Sequence, residues 1–394
     1  MSTRILVVEA SSPVESISTL FALLPQDVEV LRARNQDEAM QFIARDDVDV
    51  LLADAHTGSA DEGDLLQRAR LARPELLRLF VVDQAERATL GASELEAHGT
   101  IVRGAGSHAE LEVVRAVELA RHLNTPRLQH LLSHIDHLPS APSLWLEFTQ
   151  RVKDPTATVA DLGAIVQRDM GLTARVLATV NSAAFGLRRT IMDPGEAAAL
   201  MGLEALQSLI LSVETMKQFD DRLLKHFTVE SVWQRSYQVA MATRAILEAE
   251  RCDKRLVEEG FLAGLMHDCG ELVLASCRAE RFEFARSLAI RDGAARHDLE
   301  ARLFGVDHAH IGAHLMQRFG LPQGVIEAVA FHHEPSRWMN EDFSALTAVH
   351  IASCAVEDPL RDGRDGLAQI DHTHLRAIGR EGRLDRWLQL CRQA

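Results

Sequence analysis

The chain has 394 residues and a mass of 43.6 kDa, enough for two or three domains, and its 47% apolar and 25% charged residues suit a globular protein rather than a fibrous or disordered one. With 57 acidic against 42 basic side chains, a net charge of -15 and a pI near 5.6, it offers no general nucleic-acid or anionic-membrane surface. The five cysteines are odd in number and lack a C-x-x-C pair, so free thiols in a reducing cytoplasm are expected; no signal peptide and no membrane span are expected.

Up to about residue 122 the apolar pattern alternates between periods of two and 3.6. Strands are predicted at Ile5 to Val8, Val28 to Leu31, Val48 to Ala53, Leu79 to Val82 and Thr100 to Val102. Helices are predicted at Pro13 to Leu24, Gln36 to Ala44, Leu65 to Ala72, Glu94 to Ala97 and His108 to His122. Five strands alternating with helices imply a doubly wound α/β domain with a parallel sheet, whose function sits at the carboxyl ends of the strands. Those ends carry Glu9, Asp54, Asp83 and Arg103.

An acid after the first strand, an Asp after the third and a cation after the fifth resemble the receiver domain of response regulators. The resemblance implies that Asp54 is the phosphoacceptor and that Mg²⁺ sits beside it, with a cation answering the phosphoryl charge. The departures are substantial. The usual acid pair is Glu9-Ala10, the hydroxyl position falls on Val82 or Asp83, and the Lys-Pro step is Arg103-Gly104. With one metal carboxylate fewer, the expectation is a degenerate receiver used for dimerisation or partner docking.

Asn124-Thr125-Pro126 breaks the chain, which places the first domain at 1–124. From 125 to 355 the pattern is helical. A rigid turn falls at Leu138 to Pro142, a Thr158-capped helix follows, and Asn181-Ser182-Ala183 stands before Phe185-Gly186 and the Leu200-to-Leu203 step. Asn181 and Ser182 are expected to brace a helix corner. Residues 356–394 read as a C-terminal helical extension docked on the main domain.

Within the helical part, Gly264 to Gly270 sets His267 beside Asp268 in an apolar segment. His308 shares a face with Ile311, Gly312, Leu315 and Phe319, and His332-His333 closes the next helix. His310 and His314 fall on another face and are expected in solvent. Any one of these histidines alone reads as a core residue with a hydrogen-bond partner. Together, imidazole and carboxylate suit a divalent metal.

A His-Asp step, a helix opening on His and a His-His pair at a helix end resemble the HD superfamily of metal-dependent phosphohydrolases, which includes the HD-GYP phosphodiesterases and the regulatory HDOD domains. The Leu-Pro turn, Asn-Ser-Ala before Phe-Gly and Leu-Met-Gly-Leu are similar to the HDOD signature in particular. The resemblance implies a vestigial metal set at His267, Asp268, His308, His332 and His333. Arg235 stands where HD enzymes carry their first His and is expected to pair with Asp268, while Ser353 replaces their last Asp. Glu271 replaces the HD-GYP Lys, and no Gly-Tyr-Pro follows His333. Divalent metal is therefore expected to bind weakly or not at all.

These readings imply a two-component-type regulatory protein. A degenerate receiver would control a non-catalytic HDOD domain that acts through other signalling proteins, among them a histidine kinase or a diguanylate cyclase or phosphodiesterase, or through a second copy of itself. The alternatives are a metal-dependent HD-GYP-like cyclic-dinucleotide phosphodiesterase and a nucleotide sensor that does not cleave.

Overall fold

The structure is a computed structural model. It describes residues 3–8, 20–21, 23–45, 48–54, 62–83, 97–102, 107–135, 138–154, 156–182, 189–220, 224, 227–339, 342–357 and 366–393. The helix predicted at Pro13 to Leu24 lies mostly outside them, that at Glu94 to Ala97 all but its last residue, and Ala183 to Gly186 lie outside them too. The chain divides into two compact units, 1–132 with 314–326, and 133–313 with 327–394.

The first unit is built on β1 (Thr3–Val8), β2 (Val28–Ala33), β3 (Val50–Asp54), β4 (Leu77–Val82) and β5 (Gly99–Val102). All are parallel, in the order β2-β1-β3-β4-β5, which is the doubly wound order of flavodoxin-like sheets. β3 and β4 are buried along their whole length, as uninterrupted apolar runs covered on both faces should be, whereas β2 at the edge is not. Helices α1 (Gln36–Ala44), α2 (Glu62–Ala72) and α3 (Ser107–Leu123) fall within two residues of their predicted ends, except that α2 starts three residues early. Arg121 on α3 donates to Thr3 Oγ1 at 2.8 Å and Asn124 donates to Asp49 Oδ1 at 3.2 Å, so the helix end is fixed at the amino ends of β1 and β3. The break at Asn124 is short, because α4 (Pro126–Leu132) stays with this unit.

The register sets Val8 beside Ala53, Asp54 beside Val81 and Val82 beside Val102, so the strands finish level and Asp54 and Asp83 share the carboxyl end of the sheet. One buried cation was not foreseen. Arg78, wholly buried on β4, donates to the carbonyls of Leu76 and Pro74, and its own N–H donates to His98 Nδ1 at 3.0 Å. His98 is therefore protonated on Nε2, which donates to the Gln317 carbonyl at 2.8 Å, and Gln323 N–H returns to the His98 carbonyl. Burial holds this imidazole well below its ordinary pKa, hence neutral.

The second unit is helical: α5 (Ser143–Lys153), α6 (Val159–Gln167), α7 (Met170–Val180), α8 (Pro194–Met201), α9 (Leu203–Met216), α10 (Val229–Ala249), α11 (Lys254–Met266), α12 (Cys269–Cys277), α13 (Ala279–Asp292) and α14 (Arg296–Phe304). Then come α15 (His308–Phe319), α16 (Gln323–Phe331), α17 (Ala345–Ala355), α18 (His372–Ala377) and α19 (Leu384–Cys391), with part of α15 and α16 counted in the first unit. Thr158 caps α6 in a capping box with Asp161, as its position suggests. Asn181 accepts from Ile191 N–H at 2.7 Å and donates to the carbonyls of Ile191 and Leu177, which braces the corner after α7. Between α8 and α9 the chain bends by 113° at Gly202, whose φ of 86° suits a residue without Cβ. Among the described residues no single helix is long and apolar enough to cross a membrane.

Residues 366–393 complete the core of this unit. Ile370, Leu375 and Trp387 pack with Val239 and Ile246 of α10 and with Ile351 of α17. Glu250, at the end of α10, accepts from Trp387 Nε1 at 3.0 Å and from Arg383, while Arg380 stands 3.6 Å away. Trp387 is fully buried, so Trp387→Ala should lower the unfolding free energy by about 3–5 kcal/mol in denaturant titrations. A loss within experimental error would show that the segment contributes nothing to the core.

Candidate metal centre of the helical unit

Two glycines make the site. Gly264 on α11 faces Ala240 on α10 so closely that a Cβ there would stand 2.6 Å from Ala240 Cα. A Cβ on Gly270, at the start of α12, would stand 2.0 Å from the His308 carbonyl oxygen. Backbone-to-backbone contact of this kind draws α10, α12 and the start of α15 onto the turn that carries His267 and Asp268. Arg235, also on α10, brings its guanidinium against that turn.

His267, Asp268, His308 and His332 are brought together and buried, with exposures of 0, 3, 0 and 0%, and His333 joins them partly buried. His267 Nδ1 donates to the Gly264 carbonyl at 2.9 Å, which leaves the lone pair on Nε2. Arg235 Nη1 takes that lone pair at 2.8 Å and also donates to Asp268 Oδ2, while Nη2 donates to the Ser353 carbonyl at 3.0 Å. One guanidinium nitrogen thus stands between the His-Asp pair. Burial works against the Asp268 carboxylate, but the Arg235 guanidinium and the hydrogen bond from His308 outweigh it and hold its pKa well below the usual range.

On the other side, His308 Nδ1 pairs with Glu300 at 2.5 Å and its Nε2 lies 2.8 Å from His333 Nε2 and 3.5 Å from Asp268 Oδ1. Burial would push the His308 pKa down, yet Glu300 and Asp268 raise it to about 9, so it is an imidazolium at neutral pH. Its second proton then goes to the lone pair of His333, which burial and His332 keep neutral. His332 Nδ1 donates to the Val329 carbonyl at 2.8 Å, and among the described residues its buried Nε2 has no hydrogen-bond partner, 3.7 Å from Asp268 Oδ1.

Several participants carried no signal in the sequence. Glu300, from α14, holds both the ring and the backbone N–H of His308. Arg296, one turn earlier, pairs with Glu271 and approaches Glu300 at 3.4 Å, and His297 stacks on His333 at 4.1 Å between ring centres. The only trace is the four-residue spacing of Arg296 and Glu300 on a helix that ends at Gly305. His350, one turn before Ser353, is a further support: its Nδ1 donates to the His332 carbonyl at 2.7 Å and its Nε2 accepts from Asp371 N–H.

Two expectations need correction or qualification. His314 is buried, not solvated, because α15 is covered on nearly every side from His308 to Phe319, and burial lowers its pKa to about 4. His310 is half-covered and bound to Asp307. In the first unit, Asp54 is buried and Asp83 follows β4, whereas Glu9 and Arg103 lie outside the described residues.

The charges balance. Asp268, Glu271 and Glu300 face Arg235, Arg296 and the His308 imidazolium, three against three. Ligand sets such as His267, Asp268 and His332 do have their donor atoms within 4.8 Å of one another. As arranged, however, these residues do not fit a divalent ion: the Nε2 of His267 is taken by Arg235, His308 is protonated, and His333 accepts from it.

Because the His308 pKa in the folded chain lies above its unfolded value near 6.5, its ion pairs stabilise fully below that pH and are lost as pH rises through about 9. Between those limits the unfolding free energy should fall by on the order of 3 kcal/mol. His308→Gln should be less stable at pH 6.5 and show little of that slope; a wild type with flat stability from pH 6.5 to 9 would contradict the imidazolium.

A model of the HDOD domain matches residues 138–335, half of the chain and all of the cluster except its outer supports on α17 and beyond. The fold is similar to that of an HDOD domain protein of unknown function from Geobacter sulfurreducens, at 22% identity and a TM-score of 0.52 over 70% of this chain and 97% of that one. It is also similar to a candidate signal transduction protein from Marinobacter aquaeolei VT8, at 19% identity and a TM-score of 0.51 over 85% and 82% of the two chains. An uncharacterized protein of Treponema pallidum is 26% identical over 309 residues, covering 75% of this chain but only 58% of that protein's length. With half its length matching the family model, this chain belongs to the HDOD domain family.

Proposed function

We propose that this chain is a signalling regulator whose HDOD part acts through contacts with other proteins and not by hydrolysis. One observation carries the reading: the His-Asp cluster is closed. Its four central residues are at most 3% exposed, whereas a catalytic metal centre keeps a position open to water and substrate. Among the described residues, α10 and α11 meet in backbone contact beside His267 and Asp268, which argues against a phosphodiester entering along that seam. The relative from Marinobacter, described as a candidate signal transduction protein, agrees with this reading.

In the same proposal the first unit is a degenerate receiver. The strand order and the buried Asp54 at the end of β3 support it, and Asp83 shares that edge. Asp54 would be the phosphoacceptor, with Mg²⁺ held by Glu9 and Asp54 and the charge answered by Arg103. Its partners would be signalling proteins of the histidine kinase or cyclic-dinucleotide class, or a second copy of the chain.

Full-length protein incubated with cyclic dinucleotides and excess Mn²⁺ or Mg²⁺ should release no linear product above the buffer blank. Turnover that disappears in Asp268→Asn would sink the non-catalytic reading. For the first unit, a small phosphodonor with Mg²⁺ should label the protein slowly or not at all, and Asp54→Asn never; labelling at the rate of an ordinary receiver would show that one fewer carboxylate suffices.

A further inference from the structure

We infer that Arg235 is the resident cation of a latent transition-metal site, and that this one side chain keeps a divalent ion out. The inference extends the closed-site reading above. Arg235 Nη1 touches the two atoms that a metal would bind first, His267 Nε2 at 2.8 Å and Asp268 Oδ2. A zinc-type ion would approach the same atoms to about 2.0–2.2 Å, so nitrogen and metal cannot both be there.

The remainder of a shell is in place. His332 Nε2 is buried with its lone pair unused among the described residues, 3.7 Å from the other oxygen of Asp268, and His267, Asp268 and His332 bring their donor atoms within 4.8 Å of one another. His267 and His332 each donate Nδ1–H to a main-chain carbonyl, the support that orients an imidazole for metal binding. Two nitrogens and an oxygen suit a borderline ion such as Zn²⁺ or Co²⁺.

Charge decides the competition. With Arg235 in place the Asp268 carboxylate already has a cation against it, so an added dication would find no uncompensated charge there within a medium of low polarity. Without Arg235, Asp268 is left uncompensated, and an ion that fills the gap relieves that cost. An imidazole at position 235 would supply a further nitrogen ligand from α10.

The test is Co²⁺ titration of the purified full-length chain, read by visible d–d absorption and by equilibrium dialysis. Wild type should take up well under one equivalent, and EDTA should not shift its melting temperature. Arg235→His should bind about one Co²⁺ per chain, tighter than wild type by roughly a hundredfold or more. Arg235→His/His332→Ala should lose that binding. Arg235→Lys, which keeps the charge, should stay metal-poor. If Arg235→His is unstable alone, Co²⁺ should restore its folded circular dichroism.

Stoichiometric Co²⁺ on wild type or on Arg235→Lys overturns the inference. So does an Arg235→His chain that folds without taking Co²⁺, or that stays unfolded when Co²⁺ is present. The two proposals fail separately: phosphodiester turnover by wild type defeats the non-catalytic reading, whereas metal uptake without turnover defeats only this one.

Discussion

The buried contact of Arg235 with Asp268 organises the helical unit. A carboxylate that is 3% exposed is tolerated only when it is paired and its remaining lone pairs are satisfied. Here a single planar guanidinium does three things: it neutralises Asp268, fixes the tautomer partner of His267, and reaches the Ser353 carbonyl on α17. Three helices are thereby joined at one point. A lysine could supply the charge but not the fork, and an uncharged residue would leave the carboxylate stranded.

The same logic extends outward. His308 can be an imidazolium inside the protein only because Glu300 and Asp268 flank it, and Glu300 and Glu271 can be buried only because Arg296 and His308 stand between them. No member of this set is independent, and removing one leaves a partner uncompensated. Such a network specifies one arrangement of α10, α12, α14 and α15, and tolerates few others. The apolar core around Trp387 supplies bulk stabilisation; the ionic cluster supplies register.

Much of this was legible in the sequence because it is local. The strands of the sheet announce themselves as short apolar runs, and the capping box at Thr158 and Asp161 lies within four residues. The convergence of His267, Asp268, His308 and His332 followed from motif order and helical spacing, and Arg235 stood out as a cation in a metal-type setting. What was hidden is non-local. Glu300 and Arg296 sit on an outwardly ordinary amphipathic helix, and nothing in their spacing says which histidine they face. His314 was misplaced because a 3.6-residue stripe presumes one exposed face, and α15 has almost none. Arg78 is hidden inside a strand that otherwise reads as pure core.

The close approach of Gly264 to Ala240 bears on rates. With the two helices in backbone contact, no side-chain rotation parts α10 from α11 at that point, since Gly264 has no side chain to rotate. Separating α10 from α11 at that seam is a cooperative opening that breaks the network as it proceeds. An opening along this seam is therefore paced by partial unfolding and not by side-chain rotation.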